Sequence, residues 1–397
     1  MGSLTKFAKA ITYLLGFTVL IVVVLKEEFY DGTRLRFWDM TATLEKWPDC
    51  YDKWGLQTFE FSEQNIDAQG ECSRFNYGIF TMPLYRLMAF ISQSEALWTY
   101  SLFIISVLLI FIIAERSGLV HLITLIVLIS PPVTLLFESG NPDLLNLLLC
   151  LLAGIALKKN WFITFAISIS VVALHKYYGA ALWPLSFILA FKQKLVGRAI
   201  VFLVIMASIT TLIYQIFFMG LYRFSDAGAN HYGITIWDNY FRKSGLYFNE
   251  QIVQITGIAT LIILSSLLLW RKPLEVEERE PLSYSKSVAL VMYLVFIFSY
   301  ITTSNVDYRL TFLGAAIIMD SSHYLSRSLF SRLILFLAIV SLFMSYPMGY
   351  REIIPGLPLQ AIGDLVLHFV VAYCLARSWA LFSSLRKSLK EPQVSMG

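Results

Sequence analysis

Long apolar runs separated by polar connections dominate the chain. A helix needs about 20 apolar residues to span a bilayer, and about twelve runs approach that length, although several are short. They are Ile11–Leu25, Leu97–Ala114, Leu119–Phe137, Leu144–Leu157, Trp161–Leu174, Gly179–Phe191, Ile200–Met219, Ile252–Trp270, Val288–Thr303, Leu310–Asp320, Leu333–Tyr346 and Leu365–Leu381. A weaker run, Ile79–Ser92, is broken by Pro83 and Arg86 and indicates an interfacial or re-entrant helix. The pattern predicts an all-α polytopic membrane protein.

Composition supports this class. Hydrophobic residues make up 57% of the 397 residues and charged residues only 15%, against roughly 25% charged in soluble domains. A transmembrane β-barrel would show short alternating segments instead of continuous apolar runs. The formal net charge of +4 is too small to indicate nucleic-acid binding. The first run lacks a small-residue cleavage site, so we interpret it as a retained helix and not a signal peptide.

The distribution of Lys and Arg predicts the orientation. Alternate connections are rich in these residues, which places them and both termini on the cytoplasmic side. The chain then forms one transmembrane domain over residues 1–397, with a cytoplasmic loop at 271–286. Its two large extracytoplasmic loops are 26–78 and 221–251. The first loop is rich in carboxylates and aromatic residues, which indicates chemistry at the membrane surface.

Polar groups from five connections fall on the same outer face. They are Asp39 with Arg34 and Arg36, Phe75–Gly78 (FNYG), Glu138–Asp143 (ESGNPD), His175–Tyr178 (HKYY) and Ser304–Arg309 (SNVDYR). Charged groups at helix ends are costly unless they are solvated, paired or functional. A few could be ordinary caps, and Asn141 and Asp143 are favoured residue types for capping the helix that follows them. Together the five connections predict a shared site at the outer interface.

Some of these stretches, together with the residues that follow them, resemble the motif pattern of a known protein family. Glu138–Asp143 opening an apolar helix, a basic turn at Lys158 and Lys159, and a helix ending in Ala173–Gly179 (ALHKYYG) resemble the GNxD…KxxP pattern of the DUF2029 (GT87-like) group. Members of that group are GT-C glycosyltransferases that use polyprenyl-phosphate sugars. The acidic first outer loop, Phe75–Gly78 and Asn305–Arg309 are similar to the family layout. Gly179 and Gly78 depart from it, because the family often has proline there.

The resemblance implies a GT-C-like bundle of about 10–13 transmembrane helices, with the general base in the first outer loop. Asp39 matches that base, and Asp31 and Asp49 are its competitors. Lys176, Arg309 and His175 are the candidates for binding the donor phosphate, because cations offset the charge of the leaving lipid phosphate. The alternatives are that Lys176 and Arg309 only snorkel to the headgroups and that His175 is structural. The candidate substrate pocket contains Arg36, Trp38, Asn76, Tyr77, Asn141, Asp143, Asn305, Asp307 and Tyr308.

The reaction implied is an inverting transfer of a mannose-like hexose or a pentose to a lipid or glycan acceptor. One carboxylate accepts the proton of the acceptor hydroxyl, and no second carboxylate is needed as a nucleophile. The membrane is expected to be a bacterial plasma membrane. No metal-ligand motif stands out, although a divalent cation, Mg²⁺ or Mn²⁺, held by acids and lipid phosphate is compatible with the resemblance. Cys50 and Cys72 of the first outer loop are a candidate disulfide pair.

Two other functions remain open. A polysaccharide polymerase or ligase would share the membrane layout and the handling of lipid phosphate, but would rely on arginine-rich outer loops. A transporter or flippase of lipid-linked sugars would show internal repeats and charged residues near helix midpoints. We expect most of the charge at helix ends, and this favours an interfacial enzyme.

Overall fold

A computed structural model describes the chain in segments. The described residues are 40, 44–45, 48–49, 52, 82–114, 117–192, 231–232, 250–270, 282–302, 305–306, 310–326, 328–344, 352–354 and 357–390. The predicted spans Ile11–Leu25 and Ile200–Met219 lie outside them.

The chain divides into two compact units. The smaller unit comprises Tyr30–Leu109 and Leu136–Ser225, and the larger unit comprises Met1–Phe29, Ile110–Leu135 and Asp226–Gly397.

The described part of the smaller unit is built from helices. They are α1 (Met82–Ile91), most of α2 (Glu95–Ile113), the end of α4 (Pro131–Glu138), α5 (Asp143–Lys159), α6 (Phe162–His175), a 3-10 helix (Tyr177–Leu182) and α7 (Trp183–Lys192). α5 and α6 pack along each other as a helical hairpin. Asn160 makes the tight turn between them in the left-handed region at φ 57°, a conformation that asparagine tolerates better than most residues.

Gly179 brings the 3-10 helix onto α6. A Cβ atom at this position would overlap the carbonyl oxygen of Ile169 and the backbone and side chain of Ala173. Only glycine allows so close an approach of two backbones. The departure from proline noted in the sequence therefore has a packing reason at this position.

The larger unit holds the remaining elements. They are α3 (Gly118–Leu128), α8 (Glu250–Trp270), α9 (Tyr284–Thr302), α10 (Thr311–Met319), α11 (Ser321–Ser326), α12 (Leu329–Phe343) and α13 (Leu359–Lys390). The unit also contains two short antiparallel strand pairs. They are β1 (His231–Tyr232) with β2 (Asn305–Val306) and β3 (Glu352–Ile354) with β4 (Leu357–Pro358). Every residue of α10 is buried, so this helix runs through the core of the unit.

Four described helices are long and apolar enough to cross a membrane. Their candidate spans are Glu95–Ile113, Ile252–Trp270, Tyr284–Ile301 and Ile362–Leu385. A fifth is added if α3 and α4 count as one span bent by 55°. The all-α membrane class predicted from the apolar runs is confirmed at this level.

Other predicted runs form shorter or interrupted helices. Leu119–Phe137 is not one straight helix, because α3 ends at Leu128 and α4 begins at Pro131. Pro131 and Pro132 lack backbone N–H groups and cannot continue the hydrogen-bond ladder of α3. The weaker run Ile79–Ser92 contains α1, whose Met82, Tyr85 and Met88 are buried.

Candidate functional site

The candidate site lies in the smaller unit, where α5 begins and α6 ends. Between α4 and α5 the chain turns at Gly140, whose φ of 61° suits glycine. Asn141 Oδ1 accepts a hydrogen bond of 2.9 Å from the backbone N–H of Asp143, the first residue of α5. The predicted capping role of Asn141 is therefore observed as a side-chain bond to the helix start, whereas the carboxylate of Asp143 binds other partners.

Asp143 and Lys176 form a buried ion pair. Lys176 follows the end of α6 with an extended backbone, and its Nζ donates to Asp143 Oδ2 at 3.1 Å. Each side chain is only 1% exposed. Two residues that lie 33 positions apart thus neutralise each other in the interior of the unit.

A chain of hydrogen bonds continues from this pair. Asn146 Nδ2 donates to Asp143 Oδ1 at 2.7 Å, and Asn146 Oδ1 bonds His175 Nδ1 at 2.9 Å. The other ring nitrogen, His175 Nε2, lies 2.6 Å from the hydroxyl of Tyr85 on α1. These five residues, Tyr85, His175, Asn146, Asp143 and Lys176, are hereafter the α1–α5–α6 network.

The network fixes the tautomer of His175. Because Asn146 donates its amide hydrogen to Asp143, its Oδ1 faces His175 and accepts from Nδ1–H. His175 Nε2 is then the acceptor for the Tyr85 hydroxyl. Burial lowers the pKa of His175 to about 3, with Asp143 opposing the shift and Lys176 adding to it. His175, which follows the predicted span Trp161–Leu174, is thus neutral at physiological pH.

A described residue of the predicted first outer loop, Asp52, contacts α1 beside this network. Asp52 of the loop forms an ion pair with Arg86, the neighbour of Tyr85. This pair is at the surface, where its contribution to stability is about 0–1 kcal/mol. Met40, which follows Asp39 directly, is fully buried. The competing acid Asp49 is exposed.

The structure brings together part of the predicted set. Asn141, Asp143, His175 and Lys176 meet within one unit. Asn305 pairs with Tyr232 through the backbone of β2 and β1. The other predicted positions lie outside the described residues: Asp39, Asp31, Arg36, Trp38, Asn76, Tyr77, Asp307, Tyr308, Arg309, Cys50 and Cys72.

Sequence reasoning missed Tyr85 and Asn146. Asn146 stands three residues after Asp143 inside an apolar run, a spacing that puts both side chains on the same helix face. This is a usable signal. Tyr85 sits in the weaker run Ile79–Ser92 and gives no such signal, because its partner His175 is 90 residues away.

A second buried polar cluster occupies the larger unit and corrects one expectation. Arg377 lies inside the candidate span Ile362–Leu385 and binds Asp320 through two hydrogen bonds, of 2.7 and 2.8 Å. Both side chains are at most 1% exposed. The expectation that charge lies at helix ends is therefore wrong for Arg377, although this residue was visible inside the predicted span Leu365–Leu381.

Among the described residues, no group of three or more His, Cys, Asp or Glu side chains could hold a metal ion. The carboxylate of Asp143 already serves Lys176 and Asn146.

Comparisons with known proteins give no relative. No family model, curated protein or solved structure matches this chain.

Proposed function

We propose that the chain is an integral membrane glycosyltransferase of the GT-C type. It transfers a sugar, a mannose-like hexose or a pentose, from a polyprenyl-phosphate donor to a lipid or glycan acceptor on the extracytoplasmic face. The proposal includes a bundle of about 10–13 transmembrane helices, cytoplasmic termini and a bacterial plasma membrane.

One observation carries the proposal. The two stretches on which the family resemblance rests, Glu138–Asp143 and Ala173–Gly179, meet in space through the bond between Lys176 and Asp143. The attachment of Asp52 to Arg86 adds support, because it brings the loop that contains Asp39 to the helix that contains Tyr85. The smaller unit thus contains Lys176, His175 and the described residue Asp52 of the predicted first outer loop, and this supports the proposal.

In the proposed reaction, Asp39 accepts the proton of the acceptor hydroxyl. The hydroxyl oxygen attacks the anomeric carbon while the bond from that carbon to the phosphate oxygen breaks. The lipid phosphate leaves with the bonding electron pair, and the single displacement inverts the anomeric configuration.

Arg309 stabilises the negative charge that develops on the phosphate, and Lys176 does so by exchanging its bond to Asp143 for one to the phosphate. Asp143 and Asn146 position Lys176 and His175. His175 is neutral and contributes its hydrogen bonds to Asn146 and Tyr85, but no charge.

The experiment is sugar release from a panel of polyprenyl-phosphate sugars by the purified protein in lipid. Wild type should turn over at least one donor, and Asp39→Asn should lose several orders of magnitude of activity while still binding donor. Glu45→Gln is the matched control, because it removes an exposed acid of the same loop that is not a candidate for the base. Loss in Asp49→Asn or Asp31→Asn alone would reassign the base, and absence of donor binding in wild type would refute the proposal.

A second candidate is transport of a lipid-linked sugar. The specific observation in its favour is the ion pair between Asp320 and Arg377, since ionisable residues inside membrane spans commonly mark transport pathways. Turnover of donor distinguishes the two candidates, because a transporter leaves the bond between sugar and phosphate intact.

A further inference from the structure

The cluster around Asp320 and Arg377 lies deep within the candidate spans of the larger unit. Arg377 is 15 residues after Ile362 and eight before Leu385, or about 22 Å and 12 Å along the helix axis. Tyr293 is nine residues after Tyr284 and eight before Ile301, at the middle of its span. The ion pair thus belongs to the apolar zone and not to the headgroup region.

The chain is interrupted at the same place. Asp320 separates α10 from α11, and both helices are too short to span a bilayer. Discontinuous helices near the membrane midplane are where transporters bind substrates and coupling ions.

Hydrogen bonds link the polar groups of this cluster to one another. Asp320 accepts from Arg377 Nε and Nη2, and Tyr293 Oη lies 3.3 Å from its Oδ2. Tyr293 Oη lies a further 2.8 Å from Tyr324 Oη, and Tyr373 Oη bonds His323 Nε2 at 3.0 Å. Within the described part of the chain, Arg377 Nη1 is buried without any hydrogen-bond partner. A buried donor in that state is energetically costly.

Charge balance restricts what this cluster can bind. The titratable groups around Asp320 are Arg377, Tyr373 and Cys374 from α13, Tyr293 from α9, and His323 and Tyr324 from α11. The Asp320–Arg377 pair is electrically neutral. An anion alone would leave a net negative charge in a low-dielectric interior, and a proton alone would leave a net positive one; both are costly. An anion together with one proton keeps the site neutral.

We propose that Asp320 and Arg377 form a membrane-embedded exchange site that binds a phosphate anion, either a monoester or inorganic phosphate, together with one proton. The Asp320 carboxylate takes the proton and becomes a neutral acid, and the Arg377 guanidinium turns from it to the phosphate. No bond within the ligand breaks. Of the guanidinium nitrogens of Arg377, the two oxygens of Asp320 bond Nε and Nη2. A phosphate monoester offers three oxygens and can also engage Nη1.

The ligand source is either a lipid phosphate or free phosphate. A short isoprenyl phosphate and inorganic phosphate test the two sources separately, and binding of either supports the site. The proposal concerns the larger unit and does not rest on glycosyl transfer.

The test is calorimetric titration of the full-length protein in nanodiscs of zwitterionic lipid. Comparison of the binding enthalpies in buffers of different ionisation enthalpy gives the number of protons taken up. The titration is done at a pH of about 5.5, where a phosphate monoester is mainly the monoanion. Wild type should take up about one proton per phosphate bound at this site, and the corresponding uncharged isoprenyl alcohol should bind at least about tenfold more weakly. Asp320→Asn should still bind the phosphate but take up no proton.

The double variant Asp320→Asn/Arg377→Met should lose this binding event while remaining folded, because a neutral pair replaces a neutral pair. Arg332→Met is the matched control, since Arg332 belongs to the same unit and its exposed side chain donates to the backbone carbonyl of Leu325. The proposal is overturned if wild type binds neither phosphate, if binding takes up no proton, or if proton uptake persists in Asp320→Asn. Unchanged binding stoichiometry in a folded double variant would also overturn it.

Discussion

Lys176 donates a hydrogen bond to Asp143 across 3.1 Å in the interior of the smaller unit, with both side chains 1% exposed. The pair joins the start of α5 to the end of α6. Removal of one partner of a buried pair leaves the other charge uncompensated, and this typically costs about 3–5 kcal/mol. The pair therefore links the conformations of the two predicted site stretches, Glu138–Asp143 and Ala173–Gly179.

Asp143→Leu should destabilise the smaller unit by about 3–5 kcal/mol. Lys176 would remain buried without its carboxylate, and Asn146 would lose the acceptor of its amide. Unfolding by denaturant in mixed micelles measures the change. The double variant Asp143→Leu/Lys176→Met should lose less than Asp143→Leu alone, and equal losses would argue against a direct coupling of the two charges.

Tyr85→Phe should cost about 1–3 kcal/mol. It removes a single hydroxyl and leaves the buried acceptor His175 Nε2 without that donor. The same unfolding measurement applies. Arg86→Met is the control at the neighbouring surface position, where the loss should stay below about 1 kcal/mol. A Tyr85→Phe variant as stable as wild type would show that the hydroxyl is dispensable.

Acidification should destabilise the fold through His175. Its pKa is about 3 in the folded chain, against an ordinary value of 6.5. Between these values the unfolded chain binds a proton that the folded chain excludes, so this stability is fully present above pH 6.5 and is lost as the pH falls towards 3. His175→Gln should flatten the pH dependence of unfolding in this window. An identical slope in both proteins would contradict a neutral buried His175.

Gly179→Ala should destabilise the smaller unit by about 1–3 kcal/mol, because the new methyl group would overlap backbone atoms of Ile169 and Ala173. Gly118→Ala is a matched control, since nothing lies within 4 Å of the corresponding Cβ position. That change should be neutral or stabilising by up to about 1 kcal/mol. Thermal midpoints of the two variants measure the difference, and equal midpoints would mean that the 3-10 helix can move away from α6.

The sequence predicted those features of the fold that local pattern determines. The predicted run Ile252–Trp270 coincides with a candidate span of the structure, because apolar length and composition alone decide it. The bend between α3 and α4 was also encoded locally, by Pro131 and Pro132, but was overlooked within a long apolar run. Arg377 was overlooked for the same reason, since one charge hardly changes the hydropathy of its span.

The candidate site was predictable only in part. His175 and Lys176 are polar residues at the end of an apolar run, and this position identified them. Their partners depend on how helices pack, which no local pattern reveals: Tyr85 is 90 residues from His175, and Asp143 is 33 residues from Lys176. Burial also changed the expected chemistry of Lys176, because its charge is balanced by Asp143.

The affinity of the purified protein for a polyprenyl-phosphate sugar tests the central claim most directly. Donor binding should be measured in lipid nanodiscs for wild type and for the folded double variant Asp143→Leu/Lys176→Met, with Lys159→Met, which changes an exposed lysine of α5, as a surface control. If the α1–α5–α6 network serves the donor phosphate, the double variant should bind at least about tenfold more weakly, because a hydrogen bond to a charged group contributes about 1.5–3 kcal/mol. Equal affinity in wild type and the double variant would contradict that role.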